Sequence, residues 1–208
     1  MKTFLFQGDS ITDAGRIREN EFLRGSGYPT LVSAELMYER PGEFSCINRG
    51  VSGNRIVDLY ARIKRDLINL KPDYLSILIG VNDVWHEYTD DPNGVSDDKY
   101  RRIYDMMIEE IRAELPGIRI YILEPFVLKG TVTEAKWEDY DREVRLRARS
   151  AKWIAEKYNL PFLPLQDRFD AACEKCEPSY WLWDGVHPTA PGHELIARAL
   201  FEEVKKDI

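Results

Sequence analysis

The sequence is poor in cysteine, histidine and long apolar runs, and each shortage closes off a class of protein. Three cysteines (Cys46, Cys173 and Cys176) form an odd, sparse set that provides no disulfide framework. Cys173-Glu-Lys-Cys176 has the spacing of half a metal or redox site. No second Cys pair or paired His lies nearby to complete a ligand set, so no metal is expected. No apolar run approaches the length of a membrane-spanning helix. The opening stretch meets Asp9 before a secretory core could form, so a cytoplasmic protein with no membrane partner is the expectation. Basic clusters are also missing, and a net charge of −7 argues against nucleic acid or anionic lipid as a partner.

What is present fits one ordinary domain spanning residues 1–208, with 44% hydrophobic residues to build a core. Short apolar runs at Thr3–Gln7, Phe44–Asn48, Tyr74–Ile79, Arg119–Leu123 and Pro161–Leu165 alternate with longer amphipathic stretches. Runs that are apolar on successive positions suit strands buried on both faces of a parallel sheet. Tyr100, Tyr104, Met107, Ile111 and Leu115 share one helical face, with Asp97 or Asp98 as N-cap and Pro116-Gly117 as the stop. Trp137, Tyr140, Val144, Ala151, Ile154 and Tyr158 form a second such face, and a last helix is expected from about Pro191 toward Lys205. Strand–helix alternation of this kind predicts an α/β fold with a parallel sheet covered on both sides. Ligands then sit beyond the carboxyl ends of the strands.

The segments following the runs carry the chemistry. Gly8-Asp9-Ser10 places a serine at the mouth of the sheet, where its own N–H can face a developing negative charge. Alone, Gly-Asp-Ser is also plain turn chemistry. Asn48-Arg49-Gly50-Val51-Ser52-Gly53-Asn54 is a glycine-spaced loop able to bring backbone N–H groups close to a ligand, or simply a flexible turn. Gly80-Val81-Asn82-Asp83 offers an amide donor of the kind oxyanion holes use, or an Asx-turn. Asp184-Gly185-Val186-His187 can fold so that the carboxylate meets Nδ1 of the imidazole and leaves Nε2 for Ser10. Of the other histidines, His193 falls inside the last helix and reads as a structural or supporting residue, and His86 as a cleft-lining one.

Together these four stretches resemble the blocks of the SGNH (GDSL) hydrolases, in that family's order and across nearly the whole chain. The resemblance implies a three-layer α/β/α, flavodoxin-like sandwich with a five-stranded parallel sheet. It implies Ser10 as nucleophile, His187 as general base and Asp184 as its orienting acid. The Ser10 N–H, the Gly53 N–H and the Asn82 side-chain amide would form the oxyanion hole. Ile11 stands where the family name has Leu, a conservative change. Within the family the motifs look closest to bacterial acetylxylan esterases, including intracellular members that act on xylo-oligosaccharides. Asp9, Trp85 and Trp183 are then candidates for contact with an acetylated carbohydrate, although each Trp could equally be core packing.

Such chemistry needs no metal or organic cofactor. The alternatives are a lysophospholipase or thioesterase of the same fold and a carbohydrate-binding protein on an inactive scaffold. Charged, glycine-rich loops at Ile11–Gly27 and Glu87–Asp98 weigh against a long-acyl trough. Apolar and aromatic residues on the helices are compatible with a homo-oligomer.

Overall fold

The computed structural model describes residues 1–208. Five parallel strands form one sheet: β1 (Lys2–Gly8), β2 (Phe44–Asn48), β3 (Tyr74–Leu78), β4 (Arg119–Leu123) and β5 (Phe162–Leu163), in the order β2-β1-β3-β4-β5. After β1 come α1 (Ser10–Asp13) and α2 (Tyr28–Glu39), and after β2 come α3 (Ile56–Ala61) and α4 (Ile63–Asp66). α5 (Val81–Trp85) and α6 (Asp97–Glu114) follow β3, and α7 (Trp137–Tyr158) follows β4. The chain ends in α8 (Gln166–Cys173), α9 (Pro178–Trp181) and α10 (Ala190–Val204).

Strand side chains alternate between two cores. Phe4, Phe6, Phe44, Tyr74 and Tyr121 turn one way, toward Leu36 of α2, Phe169 of α8 and Leu200 of α10. Leu5, Leu75, Ile77 and Ile122 turn the other way, toward Leu59 of α3, Ile108 of α6 and Ile154 of α7. One core is therefore rich in aromatic rings and the other mostly aliphatic, with helices over both faces. Each fully buried side chain of this size contributes about 1.5–3 kcal/mol by leaving water. The three-layer α/β/α sandwich expected from the sequence is the observed architecture.

Two expectations need correction. β5 is shorter than the run Pro161–Leu165 because Glu124, just past β4, competes for its end. The Glu124 carboxylate accepts the N–H groups of Leu165 at 2.7 Å and Gln166 at 2.9 Å, which turns the chain into α8. The N-cap of α6 is Ser96 rather than Asp97 or Asp98. Asp97 instead accepts the Ser150 hydroxyl at 2.7 Å, pinning α6 to α7.

The strand order places the topological switch between β1 and β3, since the chain leaves β1 toward β2 and returns on the opposite side at β3. Open sheets bind ligands in the crevice at that point. Ser10 follows β1 and Asn82 follows β3, so both lie at the switch.

Candidate active site

Ser10 opens α1 directly behind the end of β1. A Cβ on Gly8 would collide with the Thr12 hydroxyl and the Leu78 carbonyl, so only glycine allows this close turn. Asp9 caps the turn, its Oδ1 accepting the Ile11 N–H at 2.9 Å. Ser10 is thus the first helical residue, and its N–H has no intrahelical acceptor. Asp9 does not meet the expectation of substrate contact, because it is 1% exposed beneath the serine's turn.

The Ser10 hydroxyl lies 3.0 Å from His187 Nε2, and His187 Nδ1 lies 2.7 Å from Asp184 Oδ2. Asp184 Oδ1 accepts two backbone N–H groups, from Val186 at 2.9 Å and His187 at 2.8 Å. A carboxylate can only accept, so Nδ1 carries the proton and Nε2 is left bare to receive the serine proton. The loop holding this pair is tied to the segment after β4: Val132 N–H donates to the Asp184 carbonyl, and Leu128 N–H to the Gly185 carbonyl.

Electrostatics follow from these contacts. Burial disfavours the charged Asp184 carboxylate, but the hydrogen bonds from His187 and the two backbone N–H groups outweigh it and hold its pKa low. The hydrogen bond to Asp184 raises the pKa of His187 against the opposing effect of burial, with Asp184 and Asp9 charges adding to the rise. Burial pushes the Asp9 carboxyl up to about 7 from 3.8. The folded protein holds that proton more tightly than the unfolded chain, so stability is lost as pH climbs across this interval. Asp9→Asn keeps an acceptor for Ile11 and removes the titration. It is expected to raise Tm relative to wild type more at pH 8 than at pH 4, by an amount on the order of 1 kcal/mol or about 2–4 °C. Equal shifts in Tm at both pH values would refute the buried titration.

The oxyanion candidates sit on two neighbouring turns. Gly53 has φ +80, a conformation that favours glycine, and its N–H makes no hydrogen bond within the protein. Asn82 is buried, and its Nδ2 donates one hydrogen to the Asn54 carbonyl at 3.1 Å, leaving the second free. The two indoles flank the imidazole. Trp183 is 59% exposed and stacks on the His187 ring at 5.7 Å, while half-buried Trp85 approaches it tilted by 58° and packs against the aromatic core. His86 lies in a short helical turn near Arg55 and Asp58 and bonds neither Ser10 nor His187. A cleft of about 240 Å³ beside Ser10 is lined by His187, Trp183, Pro188, Ser26, Ala14, Ile11 and His193. A larger groove of about 590 Å³ between α8 and α10 contains none of the relay residues.

The GDSL-like lipase/acylhydrolase family model matches residues 6–195. The chain belongs to this family. An acetylxylan esterase from Geobacillus stearothermophilus is 36% identical over 96% of this chain and 92% of its own length. The crystal structure of an acetylxylan esterase from that organism superposes with a TM-score of 0.86 at 35% identity, covering 98% of this chain and 94% of the other. A protein of Parabacteroides merdae assigned as a GDSL-like lipase gives 0.91 at 36% identity, with 97% and 94% covered. The chain is accordingly a carboxylic ester hydrolase of the GDSL, or SGNH, type. No helix is long and apolar enough to cross a membrane.

Several residues that hold the GDSL site together went unread in the sequence because their contacts are long-range. Arg62 donates to the carbonyls of Gly8 at 3.2 Å and Arg49 at 2.9 Å, and to Asn54 Oδ1 at 2.7 Å. It therefore clamps the end of β1 to the glycine-spaced loop. Asp13 accepts the Ser52 N–H at 3.2 Å, and Asn48 Nδ2 donates to the Thr12 carbonyl at 2.7 Å. Asp83, fully buried, accepts the Ile56 N–H on both oxygens at 3.1 and 3.2 Å, joining the Asn82 turn to α3. Cys173 and Cys176 are half-buried free thiols, and no three His, Cys, Asp or Glu side chains are grouped as for a metal.

Proposed function

We propose that this esterase removes acetyl groups from xylo-oligosaccharides, with Ser10 as nucleophile, His187 as base and then acid, and Asp184 orienting the imidazole. The observation carrying this reading is the continuous Ser10–His187–Asp184 relay, at 3.0 and 2.7 Å, beside an exposed indole at Trp183. Indole faces are good platforms for the apolar faces of sugars. The likeness to an acetylxylan esterase over nearly the full length of both chains supports the same substrate class.

In this mechanism Ser10 Oγ attacks the acetyl carbon as its proton passes to His187 Nε2. The oxygen that becomes negative accepts hydrogen bonds from the Ser10 N–H, the Gly53 N–H and the free hydrogen on Asn82 Nδ2. The bond to the sugar oxygen breaks as His187 returns its proton to that oxygen. Water then gives one proton to Nε2 and attacks the acetyl-serine, and acetic acid leaves as Ser10 regains that proton from His187. Protons balance within the relay, so the cycle needs no metal or organic cofactor.

Removing the Asn82 amide is expected to lower kcat on acetyl esters by about 10²–10³-fold, with a smaller change in KM. Near-normal kcat in Asn82→Ala would take Asn82 out of the oxyanion hole. The substrate class is tested by hydrolysis of p-nitrophenyl esters from acetate to decanoate. A steep decline beyond propionate is expected, because the charged, glycine-rich loops at Ile11–Gly27 and Glu87–Asp98 weigh against an apolar trough for a long acyl chain. Rates rising with chain length would move the assignment to a lysophospholipase or thioesterase. Binding of xylo-oligosaccharide without turnover of any ester would indicate an inactive carbohydrate-binding scaffold.

A further inference from the structure

His193 stands beside the relay without belonging to it. It lies in the first turns of α10, and its side chain is 8% exposed. Its Nδ1 accepts the backbone N–H of Tyr28 at 3.2 Å. A backbone N–H can only donate, so this nitrogen carries no proton and the neutral ring must bear its proton on Nε2. Burial, with His187 nearby, drives the imidazole pKa down to about 4, so the ring is uncharged at neutral pH.

The ring is also held in place by shape. A Cβ on Gly27 would come within 2.9 Å of His193 Cε1 and 2.6 Å of the Ala14 side chain, so the chain before α2 presses directly on the imidazole edge. The Nε2–H, by contrast, meets no acceptor in the protein, and the ring forms part of the wall of the Ser10 cleft. That edge of the ring is open to solvent where His193 lines the cleft, so a ligand oxygen can reach the donor. A fixed, uncharged donor facing a substrate cleft is suited to a neutral oxygen on the substrate.

Which oxygen follows from where the cleft lies. Ser10 lines it but Gly53 and Asn82, the other two oxyanion donors, do not, so the acetyl carbonyl oxygen is directed away from this cleft. The acetyl methyl group has no acceptor. His187 and Trp183 do line it, which places there the alcohol half of the ester. We propose that His193 is a specificity-determining residue whose Nε2–H donates to a hydroxyl or ring oxygen of the sugar next to the scissile ester. This inference rests on the deacetylase reading above and adds to it the group that distinguishes a sugar ester from a simple aryl ester.

Two variants separate this role from a structural one. His193→Asn retains an oxygen near Nδ1 to accept the Tyr28 N–H but is too short to place a donor at the Nε2 position. His193→Gln carries an amide N–H out to that position and leaves the Tyr28 N–H unpaired. The readout is the ratio of kcat/KM on an acetylated methyl β-xyloside to that on p-nitrophenyl acetate, with Tm measured alongside. Loss of one neutral hydrogen bond is expected to lower this ratio by roughly ten-fold in His193→Asn, mainly through KM on the sugar ester. The ratio should largely recover in His193→Gln even though Tm falls. An unchanged ratio in His193→Asn, or recovery tracking Tm rather than donor reach, would overturn the proposal. Wild-type turnover of the aryl ester without the xyloside would overturn the sugar assignment and the role of His193 with it. Absence of turnover on both would instead overturn the deacetylase reading itself.

Discussion

Ser10→Ala is expected to lower kcat on acetyl esters by about 10⁶-fold and to abolish any burst of p-nitrophenol at the start of the reaction. The size follows from the way the relay works as a unit. Without Oγ there is no acyl-enzyme, and the bare Nε2 of His187 has no proton to receive. What remains is whatever the oxyanion donors and binding alone can do for attack by water, roughly 10³–10⁴-fold over the uncatalysed reaction. The fold should survive, because the Ser10 side chain makes no hydrogen bond other than that to His187. A pre-steady-state trace of the variant with a retained burst would show that another residue carries the acyl group.

Asp184→Asn is expected to cost about 10⁴-fold in kcat with the backbone unchanged. The cause lies in the two faces of this carboxylate. Oδ1 accepts the N–H groups of Val186 and His187, while Oδ2 faces His187 Nδ1. An asparagine can keep the loop only by placing its single oxygen on the two backbone donors. Its NH₂ group then points at Nδ1, which must lose its proton and accept. The imidazole proton moves to Nε2, where it blocks transfer from Ser10. The pH profile offers a second readout. In wild type, kcat/KM should fall on the acid side with a midpoint above the ordinary histidine value of 6.5, since His187 must be neutral to act and its pKa is raised. The variant lacks the partner responsible for that rise, so its acid limb should move to lower pH. An Asp184→Asn enzyme losing no more than about ten-fold in kcat would contradict the tautomer argument.

The parts of this molecule that were legible in its sequence are those set by short-range geometry. Asp184 and His187 are three residues apart, and the intervening Gly185 and Val186 let one carboxylate oxygen close on the following N–H groups while the other reaches the ring. The pairing could therefore be read from four residues. The strands were legible because Phe4, Leu5 and Phe6 are buried on successive positions, as only a sheet covered on both faces allows. The length of β5 was not, because its end is decided by Glu124, some forty residues away in the chain, capturing the N–H groups of Leu165 and Gln166. Asp9 read as a residue for substrate because nothing local revealed that it lies under the turn it caps. The Arg62 clamp and the Nδ1 partner of His193 join segments with no common sequence pattern. They became visible only once α3, α4 and α10 were in place around the sheet.

The central claim, that Ser10 is the single nucleophile of the esterase, is tested most directly by reaction with an organofluorophosphonate followed by digestion and mass spectrometry. The account predicts one label per chain, on the peptide containing Ser10, with activity on p-nitrophenyl acetate lost in proportion to labelling and no label on Ser10→Ala. Label on a different serine, or full activity in protein fully labelled at Ser10, would contradict it.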